Sequence, residues 1–326
     1  MNIIQCYLGK KLPKYAVLNA KSIISDFPDV PYVLVIDSFR SVIKSRFNRI
    51  PYFYVNSNNF KDFGNLLEVD KKFRNGFWIN TSARFLAING AAKFVSGPFI
   101  HIESDVILGT DFPFSSFSDL NADVAFPLES YSKGCASVLF FKNSDASQKF
   151  CEELLDHVKI FPKTTDMHFL GSLSASSSLS ISILPSKEDD DFSTFQGLFD
   201  STSWGQYFSG IDPRNNNGFI KYHSTHPEHT SKVFGYDFHY NQGCFEVSKN
   251  SSKFSLFAMH VHSKNKKLIC SETRADEFQR LLQLQLGPSL SELTPVVFFK
   301  ILVNRYLKKA ITLSMRILSF KRYRST

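Results

Sequence analysis

Apolar and polar positions along the first part of the chain alternate between two periods. Ile3 to Leu8 is a short apolar run that predicts a strand, Lys14 to Ile24 spaces its apolar residues at helical intervals, and Tyr32 to Ile36 is a continuous apolar run that stops at Asp37. Strand, helix and strand in that order predict a parallel βαβ opening. A further strand over Pro51 to Val55 leads through a polar loop to Phe77 to Phe94, whose apolar residues recur at helical spacing around Arg84. The strand Phe99 to Ile102 then runs into Glu103-Ser104-Asp105, and the chain continues as Val106-Ile107-Leu108. Ligands of open α/β sheets gather outside the carboxyl ends of strands, so this acidic turn marks where a polar site is expected.

Strands are also predicted over Asp123 to Pro127, Ala136 to Phe141 and Ile181 to Leu184. Ser144 to Val158 reads as a helix capped by a Ser or Asp, and Thr164 to Leu173 as a helix start with Asp166 in its first turn. From Phe199 to Gly218, glycines and Asn-Gly turn signals surround an aromatic cluster. Phe245 to Val247 and Phe254 to His262 are spaced to pair as a hairpin, and a helical region follows. The expected organisation is one α/β domain over residues 1–270, its sheet mixed and flanked by helices, and a helical extension over residues 271–326.

Composition removes some classes. Apolar residues at 43% and charged residues at 21% are globular values, which excludes a disordered or fibrous chain. The cysteines Cys6, Cys135, Cys151, Cys244 and Cys270 are scattered, odd in number and free of any CxxC pair, which argues against a disulfide framework or a zinc site and suits a reducing cytoplasm. The short apolar run at the N-terminus precedes its lysines, the reverse of a secretory signal, and no long uncharged apolar stretch predicts a membrane span. The 34 phenylalanines are a surplus that the pattern leaves unexplained.

Two features carry candidate chemistry. Glu103 and Asp105, one residue apart on a turn, can present oxygens to a hard cation such as Mg²⁺ or Mn²⁺ and leave positions open for a diphosphate; spacing alone also describes a solvated turn. In His260-Val261-His262-Ser263-Lys264, alternate strand residues share a face, so the two histidines point one way and Lys264 can reach a phosphate. Each histidine also reads as an ordinary hydrogen-bonded strand residue. His223, His226 and His229 recur around Pro227 without a strand or helix to fix them, and read as loop residues.

In order, these pieces resemble the GT-A glycosyltransferase superfamily, particularly its glycogenin-like branch and bacterial polysaccharide transferases, from about Met1 to Lys264. In that family a helix bearing Arg precedes a DxD motif, as Ser82-Ala83-Arg84-Phe85-Leu86 precedes Ile102-Glu103-Ser104-Asp105-Val106; Glu103 departs from the first Asp of the motif. The resemblance implies a metal-dependent transfer of a sugar, hexosyl by expectation, from a UDP- or GDP-sugar to a glycan or lipid-linked acceptor. It implies Mn²⁺ or Mg²⁺ held by Glu103, Asp105 and His262, with His260 as substitute, and Lys264 and Arg84 on the nucleotide-sugar. Tyr7 and Asp37 would lie near the base. Asp166 and Asp200 compete for the role of the acid beneath the donor sugar, against their readings as a helix cap and a backbone-bonded loop acid. Trp204 is a candidate to stack on a sugar, with core packing as its ordinary alternative. A non-catalytic relative serving as a scaffold in a membrane-bound glycan assembly complex is the other reading, kept open by Glu103.

The net charge is confined to one end. Residues 293–326 hold eight cations and no acid, and without them the chain has 30 cations against 30 acids. Apolar residues from Val296 to Leu318 interleave with those cations at amphipathic helical spacing, which predicts a helix lying on an anionic membrane surface. The segment has few residues suited to reading bases, and no nucleic-acid motif accompanies it, so nucleic acid is not an expected partner. The expected location is cytoplasmic, peripheral on the inner face of the cell membrane.

Overall fold

The computed structural model describes residues 1–209, 236–249 and 252–285. The histidines at 223, 226 and 229 and the basic segment 293–326 lie outside the described residues.

The chain opens with β1 Asn2–Tyr7, α1 Lys14–Asp26, β2 Tyr32–Ile36, α2 Phe39–Phe47 and β3 Tyr52–Tyr54. It continues through α3 Lys61–Leu66, α4 Phe77–Ala92, β4 Phe99–Ile102, β5 Val106–Leu108 and α5 Phe114–Ser118. Next come β6 Val124–Ser130, β7 Lys133–Gly134, β8 Val138–Phe141, α6 Ser144–Ile160, α7 Asp166–Ser176 and β9 Ile181–Leu184. The remaining described elements are β10 Gly197–Phe199, α8 Ser203–Ser209, β11 Asp237–Asn241, β12 Cys244–Lys249, β13 Ser252–His260, α9 Lys266–Ile269 and α10 Ser271–Gln285.

The main sheet runs β3-β2-β1-β4-β8-β6-β7, with β9 beside β6. Its β3, β2, β1 and β4 are parallel, as the βαβ opening predicts, whereas β8 runs antiparallel to both β4 and β6. A mixed sheet flanked by helices, the expected α/β class, results. A second sheet, β10-β13-β12-β11, takes in β5 through antiparallel pairing of Met259 with Ile107 and His260 with Val106. The predicted pairing of the last two apolar runs is the antiparallel pair β12–β13. That β5 leaves the main sheet to join them was not legible in Val106-Ile107-Leu108, because a run of three apolar residues carries no signal of its partner.

Strands buried on both faces explain the unbroken apolar runs. Along β8, Val138 and Phe140 face one core with Ile3, Ile100 and Phe199, while Leu139 and Phe141 face another with Phe85, Phe150 and Leu154. The first of these cores includes residues of both sheets and uses much of the phenylalanine surplus: Phe117 packs at ring-centroid distances of 4.7 Å from Phe195, 5.5 Å from Phe140 and 5.6 Å from Phe199. Each fully buried Phe contributes about 2 kcal/mol of burial free energy. The cap of α6 is Asn143, whose side chain accepts from the Ala146 N–H at 2.9 Å, and not the Ser or Asp expected one and two residues later.

Met1–Leu281 form one compact unit and Leu282–Thr326 a second. The first unit extends past residue 270 because α10 returns an apolar face to it: Phe278 is buried, its ring 4.3 Å from that of Phe208. No helix among the described residues is long and apolar enough to cross a membrane.

Candidate active site

The acidic turn between β4 and β5 is held by its main chain, which frees its side chains. Asn19, buried on α1, donates its amide to the carbonyl of Val106 at 2.8 Å, and Gln5 donates to that of Glu103 at 3.3 Å. Val261 N–H donates to the Asp105 carbonyl at 2.8 Å, which ties the turn to the end of β13. The turn therefore spans the two sheets, and its carboxylates meet the imidazole that β13 delivers. Glu103 Oε2 and Asp105 Oδ2 each lie 3.3 Å from His260 Nε2.

Cations close the group. Arg84 on α4, itself buried, pairs through Nη1 with Glu103 and through Nη2 with Asp166 Oδ2 at 2.6 Å. Lys264 pairs with Asp105 and lies 5.6 Å over the ring of Tyr15; its left-handed φ of 54° places it in the turn that follows β13. The titrations follow from these neighbours. Burial opposes ionisation of Glu103, but Arg84 and then His260 outweigh it and hold the carboxyl well below the usual range. Burial pushes the imidazolium of His260 the other way, and Glu103 overrides it, bringing its pKa up to about 9. For Asp166, burial wins over Arg84 and raises the carboxyl above its usual value.

These groups line one cleft of about 370 Å³, together with Tyr7, Cys135, Trp78, Thr81, Thr202 and His262. Of the residues singled out from sequence, Glu103, Asp105, Arg84, Asp166, Lys264, Tyr7, His260 and His262 come together there. His260 is the imidazole that meets both carboxylates, and His262 stacks on it with ring centroids 4.1 Å apart. His260 closes β13 and His262 lies in the turn that follows, so the two are not alternate residues of one strand as the sequence suggests.

Three expected residues lie elsewhere. Asp200 is fully buried and turned inward, accepting from the N–H groups of Trp204 at 3.0 Å, Gly205 at 2.7 Å and His260 at 2.9 Å. It fixes the start of α8 against the end of β13, a junction so close that a Cβ on Gly205 would stand 2.0 Å from the His260 carbonyl oxygen. Its reading as a loop acid held by backbone bonds is therefore the one that holds. Trp204 is 1% exposed, donates its indole N–H to the Ser186 carbonyl at 2.9 Å and packs edge-on to Tyr236, so it cannot stack on a ligand. Asp37 is not in the cleft wall; its carboxylate accepts the Gly9 N–H at 2.8 Å and shapes the loop after β1 that presents Tyr7 and Leu8.

Sequence reasoning passed over Cys135, Trp78 and Thr81. Trp78 and Thr81 precede Arg84 on α4 by about two turns and one, a spacing that would have placed them on its face. Cys135 gave no signal because its neighbours in the cluster are distant in sequence: its sulfur lies within 4.8 Å of the ligand atoms of Glu103 and His260. It donates to the Ser201 carbonyl at 2.7 Å, and burial raises its pKa, so it stands as a thiol. All five cysteines are free.

No family model and no curated protein matches the chain. Its fold is similar to that of galactosyltransferase LgtC, solved with donor and acceptor sugar analogues, at 14% identity over 89% of this chain and 98% of that one, with a TM-score of 0.42. It is similar also to mouse xyloside xylosyltransferase 1, at 10% identity over 56% of this chain and 84% of that one, with a TM-score of 0.37. A nucleoside-diphosphate-sugar pyrophosphorylase from Vibrio cholerae matches at 10% identity over 55% of this chain and 90% of that one, with a TM-score of 0.35.

The donor set suits a divalent cation. Two carboxylate oxygens lie beside one imidazole nitrogen, the hard and borderline ligands that Mn²⁺ or Mg²⁺ accept, and the softer sulfur of Cys135 lies close to the atoms of Glu103 and His260.

Proposed function

We propose that the chain is a metal-dependent GT-A glycosyltransferase that moves a sugar from a UDP- or GDP-sugar to a glycan or lipid-linked acceptor. One observation carries the reading: Glu103, Asp105 and His260 converge at 3.3 Å in a cleft that also holds Lys264, Arg84 and Asp166. The difficulty of the reaction is departure of a nucleoside diphosphate, which gathers negative charge as the glycosidic bond breaks. A divalent cation held by Glu103, Asp105 and His260 supplies Lewis-acid stabilisation of that charge.

The chain's own residues do the rest. Lys264 turns from Asp105 to the phosphate oxygens, where an ammonium in a partly buried cleft acts more strongly than in water. Arg84 holds Glu103 and Asp166 in fixed relation, so that the carboxyl of Asp166 faces the donor sugar. Its raised pKa makes that carboxylate a better proton acceptor for the incoming hydroxyl than a solvated aspartate. Tyr7 offers an aromatic surface at the end of β1 for the nucleotide. We place the protein on the cytoplasmic face of the cell membrane, with residues 293–326 on anionic lipid.

A second reading, a scaffold without activity, draws on the pairing of Glu103 with Arg84 and of Asp105 with Lys264, which already neutralises both acids. Thermal unfolding with UDP- and GDP-sugars, with and without Mn²⁺, separates the two. A nucleotide that stabilises the wild type only with Mn²⁺, and fails to do so in Asp105→Ala, supports the transferase. A wild type that no donor stabilises in Mn²⁺ supports the scaffold.

A further inference from the structure

Helix α2 turns its apolar stripe outward. Phe39, Ile43 and Phe47 follow one another at intervals of four residues and are 73%, 41% and 85% exposed, while Ser41, Val42 and Ser45 form its buried face. An amphipathic helix on a folded domain normally does the reverse. Its surroundings are cationic: five cations lie between the flanking acids Asp37 and Asp62, although residues 1–292 as a whole are balanced. Arg40 and Arg46 are exposed and flank the stripe, and Arg49 follows it. The loop before α1 adds to the same surface, since Lys44 Nζ donates to the Leu12 carbonyl at 2.7 Å and feels the charges of Lys11 and Lys14 after the effect of its own burial.

We propose that α2 and the adjoining lysines are a docking surface for an anionic lipid bilayer, with Phe39, Ile43 and Phe47 entering the interface and the cations meeting lipid phosphates. Charge selects this occupant. A second copy joined about a two-fold axis would set Arg40, Arg46 and Arg49 against themselves, and the basic residues 293–326 would be repelled in the same way. Large aromatic residues interleaved with cations are the composition of helices that lie in the membrane surface. The helix begins two residues after Asp37, whose carboxylate holds the loop presenting Tyr7 and Leu8 to the cleft, so the docking surface is joined to the cleft wall through that loop. This surface is independent of the proposed reaction and of the tail.

The full-length chain carrying Phe47→Trp, mixed with vesicles of phosphatidylcholine with or without phosphatidylglycerol and containing brominated acyl chains, reports entry of α2 directly. Expected is quenching beyond that of the wild-type tryptophans on phosphatidylglycerol vesicles alone, and a fall in vesicle partition of roughly tenfold or more in Phe39→Ser/Phe47→Ser at an unchanged unfolding temperature. No added quenching on vesicles that bind the protein would overturn the proposal, since binding would then rest on other residues. So would an unchanged partition of the double variant, or its conversion of a wild-type dimer into a monomer, which would make a second copy the occupant.

Discussion

Asp166, at a helix start, and Asp200, in a loop, are both candidates for the acid beneath a donor sugar, each with a local structural role as its alternative, and the fold separates them by what their neighbours need. Around Asp200, three buried N–H groups at the junction of α8 and β13 need an acceptor, and the carboxylate turns inward to take all three. Around Asp166, the cap of α7 is already supplied by Thr165, whose hydroxyl accepts from His168 N–H. Its carboxylate meets Arg84 at the cleft, with the Met167 N–H and the Thr81 side chain as further partners. The difference lies in where the carboxylate points: that of Asp166 reaches the cleft wall, and that of Asp200 is enclosed by the three N–H groups it accepts from.

The contrast is sharpest in stability. Replacing Asp200 by Ala strands three buried donors, and the loss is expected at about 4 kcal/mol, lowering the unfolding temperature by roughly 10 °C. Calorimetry on that variant giving a change near zero would mean that the junction has another acceptor. Asp166→Asn, nearly isosteric, is expected to lower turnover by about a hundredfold while shifting the melt far less. Equal losses of stability in the two variants would erase the distinction drawn between them.

The histidine pair extends the comparison to the metal. His260→Ala is expected to weaken Mn²⁺-dependent nucleotide binding by at least about tenfold, and His262→Ala by less than about threefold, in titrations followed by calorimetry. The reverse ranking would restore the order that the sequence suggested. The smallest effect belongs to Trp204→Phe, which loses the indole bond to Ser186; about 1 kcal/mol of stability should go, with donor affinity unchanged. A tenfold change in donor affinity there would show Trp204 to be coupled to the cleft.

Much of the main sheet was legible because its strands are buried on both faces and its helices on one. Tyr32–Ile36, Phe99–Ile102 and Ile181–Leu184 lie where their apolar runs predict, and Lys14–Asp26 and Ser144–Ile160 agree within two residues at either end. The helix α2 was passed over for the reason that makes it interesting: its outward stripe and its short length give no inward periodicity to detect. The transfer of β5 to the second sheet was equally hidden, since strand partners are chosen by tertiary packing.

The sequence by itself determined the local elements, the acidic turn at the end of β4 and the identity of the groups that could carry chemistry, because period, turn residues and strand ends are properties of neighbouring positions. Which imidazole meets Glu103 and Asp105, that Cys135 lies among them, and that Asp200 and Trp204 face away were decided only in the folded chain. Those outcomes depend on contacts such as Glu103 with Cys135 and with His260, far apart in the chain, and on which buried donors need an acceptor, and neither is written in local order.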